Sequence, residues 1–276
     1  MYNYDILLKK LKLENNDKNR KYIKAIVHAL IKNGDAEIIK QAIDTDFTKI
    51  EYLFGVLMEL TKYFDYRYSS KIDLTKFLLY ILNDKDINIE AIFCPGYTSN
   101  GYKKYVGRNN TNRMWTLRFL ADELEDMEIQ ANFKIVLADI FLENTDDNNN
   151  PMWREELTNH REIFHDVASK YFSSDSIINL SDVYKDESYI EGFVEESLCQ
   201  GRVYNAFYKN NLNFYTRMHW DNEQIKHRND RLFTIYSIVS QYINQEENGV
   251  YIPMETMYSR SKVMTKNDVC TMYLRK

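Results

Sequence analysis

The stretch INIEAIFCPGYTSNGYKKYVG, residues 87 to 107, begins the part of the chain that decides the fold. Apolar residues alternate from Ile87 to Phe93, a polar stretch rich in glycine follows, and an amphipathic segment runs from about Asn112 to Met127. This order predicts a strand, a loop and a helix. A second β-favouring run, Phe133 to Phe141, comes next, at the spacing of a β-α-β unit. The sequence therefore predicts a parallel sheet.

The flanking sequence extends this prediction in both directions. Up to about residue 85, apolar residues recur at helical spacing and predict three or four helices, with Asp35 and Asp73 placed to cap two of them. Further on, DSIINLSDVY predicts a third strand ending near Leu180, and NGVYIPMETMY predicts the last strand. We expect a helical N-terminal region, residues 1–85, and a Rossmann-like α/β domain with a mainly parallel sheet, residues 86–276.

Composition narrows the class of protein. The chain has 36 Lys and Arg against 41 Asp and Glu and a net charge of -5, so no global positive field attracts nucleic acid. No apolar run approaches the roughly 20 residues that cross a bilayer, and the N-terminus lacks a signal-peptide cleavage site. Three cysteines, Cys94, Cys199 and Cys270, lie far apart and form no CxxC pair. We expect a cytoplasmic protein with reduced thiols, no membrane partner and no metal site.

The loop after Phe93 is the first candidate site, because ligands of open α/β sheets sit at the carboxyl ends of the strands. Its donors could form a phosphate cradle at the start of the next helix: Tyr97, Ser99, Asn100 and Lys104. The loop matches neither GxGxxG nor GxxxxGK[ST], so an ordinary turn is the alternative. Cys94 is either a nucleophile near a helix N-terminus or a buried inert thiol.

Two other groups of residues are candidates. Asp139 follows the second strand and could act as a general base or accept the amine of a substrate, or else cap the next turn. Five basic residues could neutralise an anionic substrate, or be solvated surface charges: Lys226, Arg228, Arg231, Arg260 and Lys262.

The loop resembles the signature of isonitrile synthases, F-P-x-K-S-x-N followed by K-V-L-G. CPGYTSNGYKKYVG keeps Pro95, Ser99, Lys104, Val106 and Gly107 of that pattern. Asp139 in VLADIF is similar to the Asp of the family's S-D-G-x-x-F strand end. The chain departs from the family after Gly107, where RNNTNRM replaces P-D-x-x-E, and in its late strand, which lacks the family's His.

The resemblance implies a reaction and its substrates. An amino acid condenses with ribulose 5-phosphate, the remaining sugar fragments are lost, and no metal or redox cofactor takes part. Ser99, Lys104 and the late Arg and Lys residues would hold the phosphate, and Asp139 would lie near the amine.

A second family is also similar, the tRNA-dependent cyclodipeptide synthases, whose substrate is aminoacyl-tRNA. Cys94 stands at the place of their serine nucleophile, and Tyr236, NGVY and Tyr258 follow in the family's order. Ser240 stands where their catalytic Glu belongs. A third interpretation is a catalytically inactive α/β domain that binds a partner or a small anion.

Overall fold

The fold is α/β, with helices first and a mainly parallel sheet after them, as predicted. The computed structural model describes residues 4–35, 37, 47–83, 86–93, 102–139, 161–184, single positions between 204 and 242, 249–254 and 270–275. For residues 102–111 it describes the backbone only.

The sheet has five strands in the order β3-β2-β1-β4-β5, and every strand pairs in parallel with its neighbours. Their bounds are β1 Ile87–Phe93, β2 Ala131–Leu137, β3 Ile177–Asn179, β4 Gly249–Met254 and β5 Cys270–Thr271. The central strand, β1, is buried on both faces. Its residues are therefore buried almost without interruption, instead of alternating between buried and exposed positions.

The sheet contains one strand, β5, beyond the strand that was predicted to be the last. β5 follows β4 along the chain and pairs with it through Val250 and Cys270. A two-residue strand is too short to produce an alternating pattern, so its pairing partner rather than its own sequence defines it. The third strand was predicted to end near Leu180 and ends at Asn179.

Four helices precede the sheet within the described residues: α1 Tyr4–Lys10, α2 Asp17–Lys32, α3 Thr48–Glu59 and α4 Lys71–Leu82. The helix α2 ends where predicted, because Gly34 takes a φ of +87°, a conformation that glycine adopts without strain. The predicted cap of α4 is corrected, since Ser70 is the N-cap and Asp73 is its reciprocal partner three residues later. Helical spacing places Ile31 on the apolar stripe of α2 with Ile23, Ile26, Val27 and Leu30, but Ile31 is 38% exposed while the other four are buried.

The helix between β1 and β2, α5, spans Tyr102–Asp126. It therefore begins well ahead of Asn112, where the amphipathic pattern predicted its start. The first turns of this helix contain a glycine and closely spaced polar residues, which are typical of loops. The spacing of apolar residues therefore could not predict where the helix begins. After β2 come a helix whose described part covers residues 161–168, called α6, and a short helix α7, Leu180–Val183.

The last residues of the chain join the sheet to the helical region. Phe64 and Leu274 form an antiparallel bridge, the Asp65 amide donates to the Tyr273 carbonyl at 2.6 Å, and the Arg275 amide donates to the Tyr63 carbonyl at 2.7 Å. Buried side chains of both regions form one hydrophobic cluster.

Candidate functional site

The carboxyl edge of the sheet brings three strand ends together. Phe93, the last residue of β1, is in register with Leu137 of β2 and with Met254 of β4. The Ala138 amide extends the ladder by donating to the Phe93 carbonyl at 2.8 Å. The chain therefore leaves the sheet after β1 and after β4 from neighbouring positions, with Asp139 two residues beyond the end of β2.

Asp139 lies at the centre of a buried polar network. It is completely buried, and its Oδ2 accepts from Arg161 Nε and from Ser181 Oγ, both at 2.6 Å. Its Oδ1 accepts from the Ser181 amide at 2.9 Å. Burial of a carboxylate is costly unless it is paired and hydrogen-bonded, and this network meets both conditions.

The Asp139 network also fixes the residues around it. Ser181 is the second residue of α7, so the Asp139 carboxylate caps the first turn of that helix. One interpretation predicted that Asp139 caps the next turn along the chain. The turn that it caps comes later, after β3. Arg161 Nη2 donates to Ser181 Oγ at 2.9 Å, which closes a ring of three side chains. The side chain of Arg161 is 28% exposed, whereas that of Asp139 is completely buried. Solvent therefore reaches the guanidinium of this ion pair and not the carboxylate.

A second polar group lies at the end of β3. Asn179 Nδ2 donates to Asp182 Oδ2 at 3.1 Å, which directs Asn179 Oδ1 to His165 Nε2 at 3.0 Å. Because that oxygen only accepts, Nε2 is the nitrogen of His165 that carries a proton in this arrangement. The edge-to-face pair of Phe93 and Phe164, with centroids 5.2 Å apart, packs beside it. His165 is therefore tied to the end of β3 by this hydrogen bond.

Glu90 is a candidate that the sequence analysis missed. It is 1% exposed, in the middle of the central strand, and in register with Lys134 of β2 and Tyr251 of β4. Residues in register lie on the same face of neighbouring strands, so Glu90, Lys134 and Tyr251 share one face of the sheet. Glu90 is the single charged residue in INIEAIF. That charge could have been noticed in the sequence, but it indicates a buried carboxylate only once the strand is known to be the central one.

Most of the predicted site residues lie outside the described part of the chain. This group consists of Cys94, Tyr97, Ser99, Asn100, Arg228, Arg231, Tyr236, Arg260 and Lys262. Lys104 is described as backbone only, and it belongs to the first turn of α5 rather than to the loop before it. Asp139 is thus the one predicted site residue whose side-chain contacts are described.

The described residues carry few further indications of a cofactor or a membrane. Among them, no group of three or more His, Cys, Asp or Glu side chains is placed to hold a metal ion. None of the helices in the described ranges combines the length and apolar character needed to span a bilayer. Cys270 is a free buried thiol whose Sγ lies 3.3 Å from the Asp73 carbonyl oxygen, and burial raises its pKa well above 9. This thiol is therefore unreactive.

Comparison of the sequence with protein-family models found no match, and comparison with curated proteins found none either. The function must therefore be argued from the geometry of the strand ends and the chemistry of the residues near them.

Proposed function

We propose that this chain is a cytoplasmic biosynthetic enzyme for small molecules, with its substrates bound at the carboxyl edge of the sheet between β1 and β4. One observation carries the proposal. The strand order β3-β2-β1-β4-β5 reverses direction at β1, since β2 lies on one side of it and β4 on the other. In open α/β sheets such a switch point forms the crevice in which ligands bind.

The two segments that carry most of the predicted binding residues both start at this crevice. The loop with Ser99 follows β1, and the segment with Arg260 and Lys262 follows β4, while the last residues of the two strands, Phe93 and Met254, are in register. Lys104 belongs to the first turn of α5, where free backbone amides and the helix dipole favour an anion. This arrangement suits a phosphorylated substrate.

The reaction we propose is that of the isonitrile synthases, which the loop after β1 resembles. The nitrogen of an amino acid gains one carbon and loses two hydrogens, and ribulose 5-phosphate supplies the carbon. Arg161 is a partly exposed cation that a buried carboxylate holds at the same carboxyl edge, beside β2 and β3. A cation fixed in this way can bind a carboxylate or phosphate with little loss of side-chain entropy.

Binding of ribulose 5-phosphate tests the location of the site. Replacing Lys104 by Ala should weaken this binding about tenfold or more, because a charge-assisted hydrogen bond to phosphate is lost. Isothermal titration calorimetry with the full chain measures the change in Kd. The matched control is Lys170→Ala, an exposed lysine beyond α6, which should bind as the unmodified chain does. Equal affinities for the unmodified chain and Lys104→Ala would count against the proposed site.

A further inference from the structure

A cavity lies near β5, the lateral edge strand of the sheet, beyond the last residues of that strand. It has a volume of about 870 Å³ and is formed by the start of α2, the segment after α3 and the C-terminal residues beyond β5. We call it the tyrosine cavity; its lining includes Lys18, Lys21, Tyr66, Arg67, Tyr68 and Arg275. β5 is three strands away from β2, or roughly 14 Å at the usual strand spacing, so this cavity is distinct from the Asp139 network. Its volume is typical of sites for small molecules.

The lining is positively charged although the protein is acidic overall. Its charged residues are the cations Lys18, Lys21, Arg67 and Arg275 and the carboxylates Asp17 and Asp65, whereas the whole chain has a net charge of -5. Asp65 is already bound by Arg67, whose Nε and Nη2 donate to its two oxygens at 2.8 and 2.6 Å. Lys18 and Arg275 are both exposed at this surface. A local excess of accessible cations favours an anionic ligand.

An exposed aromatic ring adds a second kind of contact. Tyr68 is 57% exposed, which is unusual for so large a ring, and its ring meets Tyr273 edge to face at 6.0 Å. The Arg67 guanidinium carbon lies 5.8 Å from the centroid of the Tyr68 ring. A largely exposed aromatic ring beside cations is a suitable surface on which a heteroaromatic base can stack.

One of the residues that line the cavity, Tyr66, carries a buried polar group without a described hydrogen-bond partner. The Tyr66 hydroxyl is buried, and among the described residues nothing accepts from it or donates to it. The ring packs edge to face on Tyr22 at 5.4 Å, and the Tyr66 carbonyl accepts from Lys21 Nζ at 2.6 Å, so the residue is held in place. Burial raises the pKa of this hydroxyl well above 10, and it therefore stays a donor. Buried donors of this kind are rare in proteins and usually mean that the partner is a water or a ligand.

We propose that the tyrosine cavity binds a phosphorylated heteroaromatic small molecule of the nucleoside monophosphate class. Lys18 and Arg275 hold the phosphate, the base stacks on Tyr68, and the Tyr66 hydroxyl donates to an oxygen or ring nitrogen of the ligand. The proposal does not depend on the function of the carboxyl edge, because none of these residues belongs to that site.

Calorimetric titration of the full chain with adenosine 5′-monophosphate, adenosine and inorganic phosphate tests the chemical class of the ligand. We expect the monophosphate to bind at least tenfold more tightly than either of the other two, since only it makes both kinds of contact. No binding of the monophosphate at millimolar concentration would overturn the proposal. Inorganic phosphate binding as tightly as the monophosphate would overturn it too, because the ring would then contribute nothing.

Substitutions locate the binding. Lys18→Gln and Arg275→Gln should each weaken monophosphate binding at least fivefold, and both side chains are exposed, so the fold tolerates the changes. Lys32→Gln is the matched control, an exposed lysine on the same helix but roughly 21 Å further along its axis. Tyr66→Phe should weaken binding while leaving the far-ultraviolet circular dichroism unchanged. If Lys18→Gln, Arg275→Gln and Tyr66→Phe all bind the monophosphate as tightly as the Lys32→Gln control does, the nucleotide binds elsewhere and the assignment is overturned.

Discussion

Two buried polar groups near the two lateral edges of the sheet, β3 and β5, differ in their hydrogen bonding. Towards the β3 edge, the Asp139 carboxylate is completely buried, and its described hydrogen bonds come from Arg161 and Ser181. Near the β5 edge, the Tyr66 hydroxyl is buried with no partner among the described residues, and two cations of the same cavity, Lys18 and Arg275, are exposed. The carboxylate has partners for both of its oxygens, while the hydroxyl has none among the described residues.

This difference separates the work of the two edges. A carboxylate whose two oxygens both have partners within the chain stabilises the structure and fixes the orientation of Arg161, whose side chain stays 28% exposed. A donor without a partner lowers stability until a ligand or water accepts its hydrogen bond. Substitutions at the two edges should therefore change stability in opposite directions.

The largest expected effect comes from Asp139→Asn. It removes the buried carboxylate that pairs with the Arg161 guanidinium, so we expect the free energy of unfolding to fall by about 3 kcal/mol, the lower end for a broken buried ion pair because Arg161 is partly exposed. Urea unfolding measures the loss, with Asp166→Asn, an exposed carboxylate on α6, as the control. A loss below about 1 kcal/mol would show that the network is not a source of stability.

Asp139→Asn also tests whether the Asp139 network matters for turnover. The carboxylate is completely buried and bonded to Arg161 and Ser181, so it would act by holding Arg161 in place rather than by touching the substrate amine. Turnover should therefore fall even at a temperature where the variant remains folded, because an amide holds Arg161 less well than the carboxylate does. Turnover at the rate of the unmodified chain would show that the network has no part in the reaction.

A smaller effect of opposite sign is expected from Tyr66→Phe. Removing a buried hydroxyl that has no partner should raise the free energy of unfolding by about 1 kcal/mol. Tyr63→Phe is the matched control, since the Tyr63 hydroxyl donates to Glu123 Oε2 at 2.9 Å and its loss should lower stability by up to about 1 kcal/mol. Destabilisation by both substitutions would erase the contrast between satisfied and unsatisfied groups.

The smallest effect concerns Arg67 and depends on pH. Hydrogen bonds from Arg67 lower the pKa of the Asp65 carboxyl below its ordinary 3.8, so the pair contributes stability above about pH 4 that is lost as the pH falls through the folded-state pKa. Arg67→Gln should therefore lower stability slightly at pH 6 and make less difference near pH 2. Thermal unfolding at both values checks this, and an equal difference at the two values would contradict it.

Much of the fold was predictable from periodicity. The helical stripes before residue 85 and the strands β1 and β2 each repeat apolar residues often enough to fix their type, and the parallel pairing of β1 with β2 confirmed the expected β-α-β unit. The start of α5 and the strand β5 were not predictable in this way. The first turns of α5 contain residues typical of loops, and β5 exists only because β4 offers it hydrogen-bonding partners.

The candidate site was less predictable, because its residues are distant in sequence. Asp139 could be singled out at a strand end, but its partners Arg161 and Ser181 lie 22 and 42 residues further along and no local pattern connects them. Glu90 was missed because a charged residue in a strand indicates a buried charge only when both faces of that strand are known to be buried. The cations of the tyrosine cavity come from both ends of the chain and converge only in the folded protein.

The central claim is that the carboxyl edge between β1 and β4 carries out isonitrile chemistry. The most direct test incubates the purified chain with a mixture of amino acids and uniformly ¹³C-labelled ribulose 5-phosphate, followed by mass spectrometry. The account predicts a product that differs from one amino acid by gain of a single carbon, which carries the label, and loss of two hydrogens. An unlabelled cyclic dipeptide formed when aminoacyl-tRNA is supplied would contradict it in favour of the cyclodipeptide synthases. Binding of the sugar phosphate with no product from any amino acid would contradict it in favour of a ligand-binding domain without catalysis.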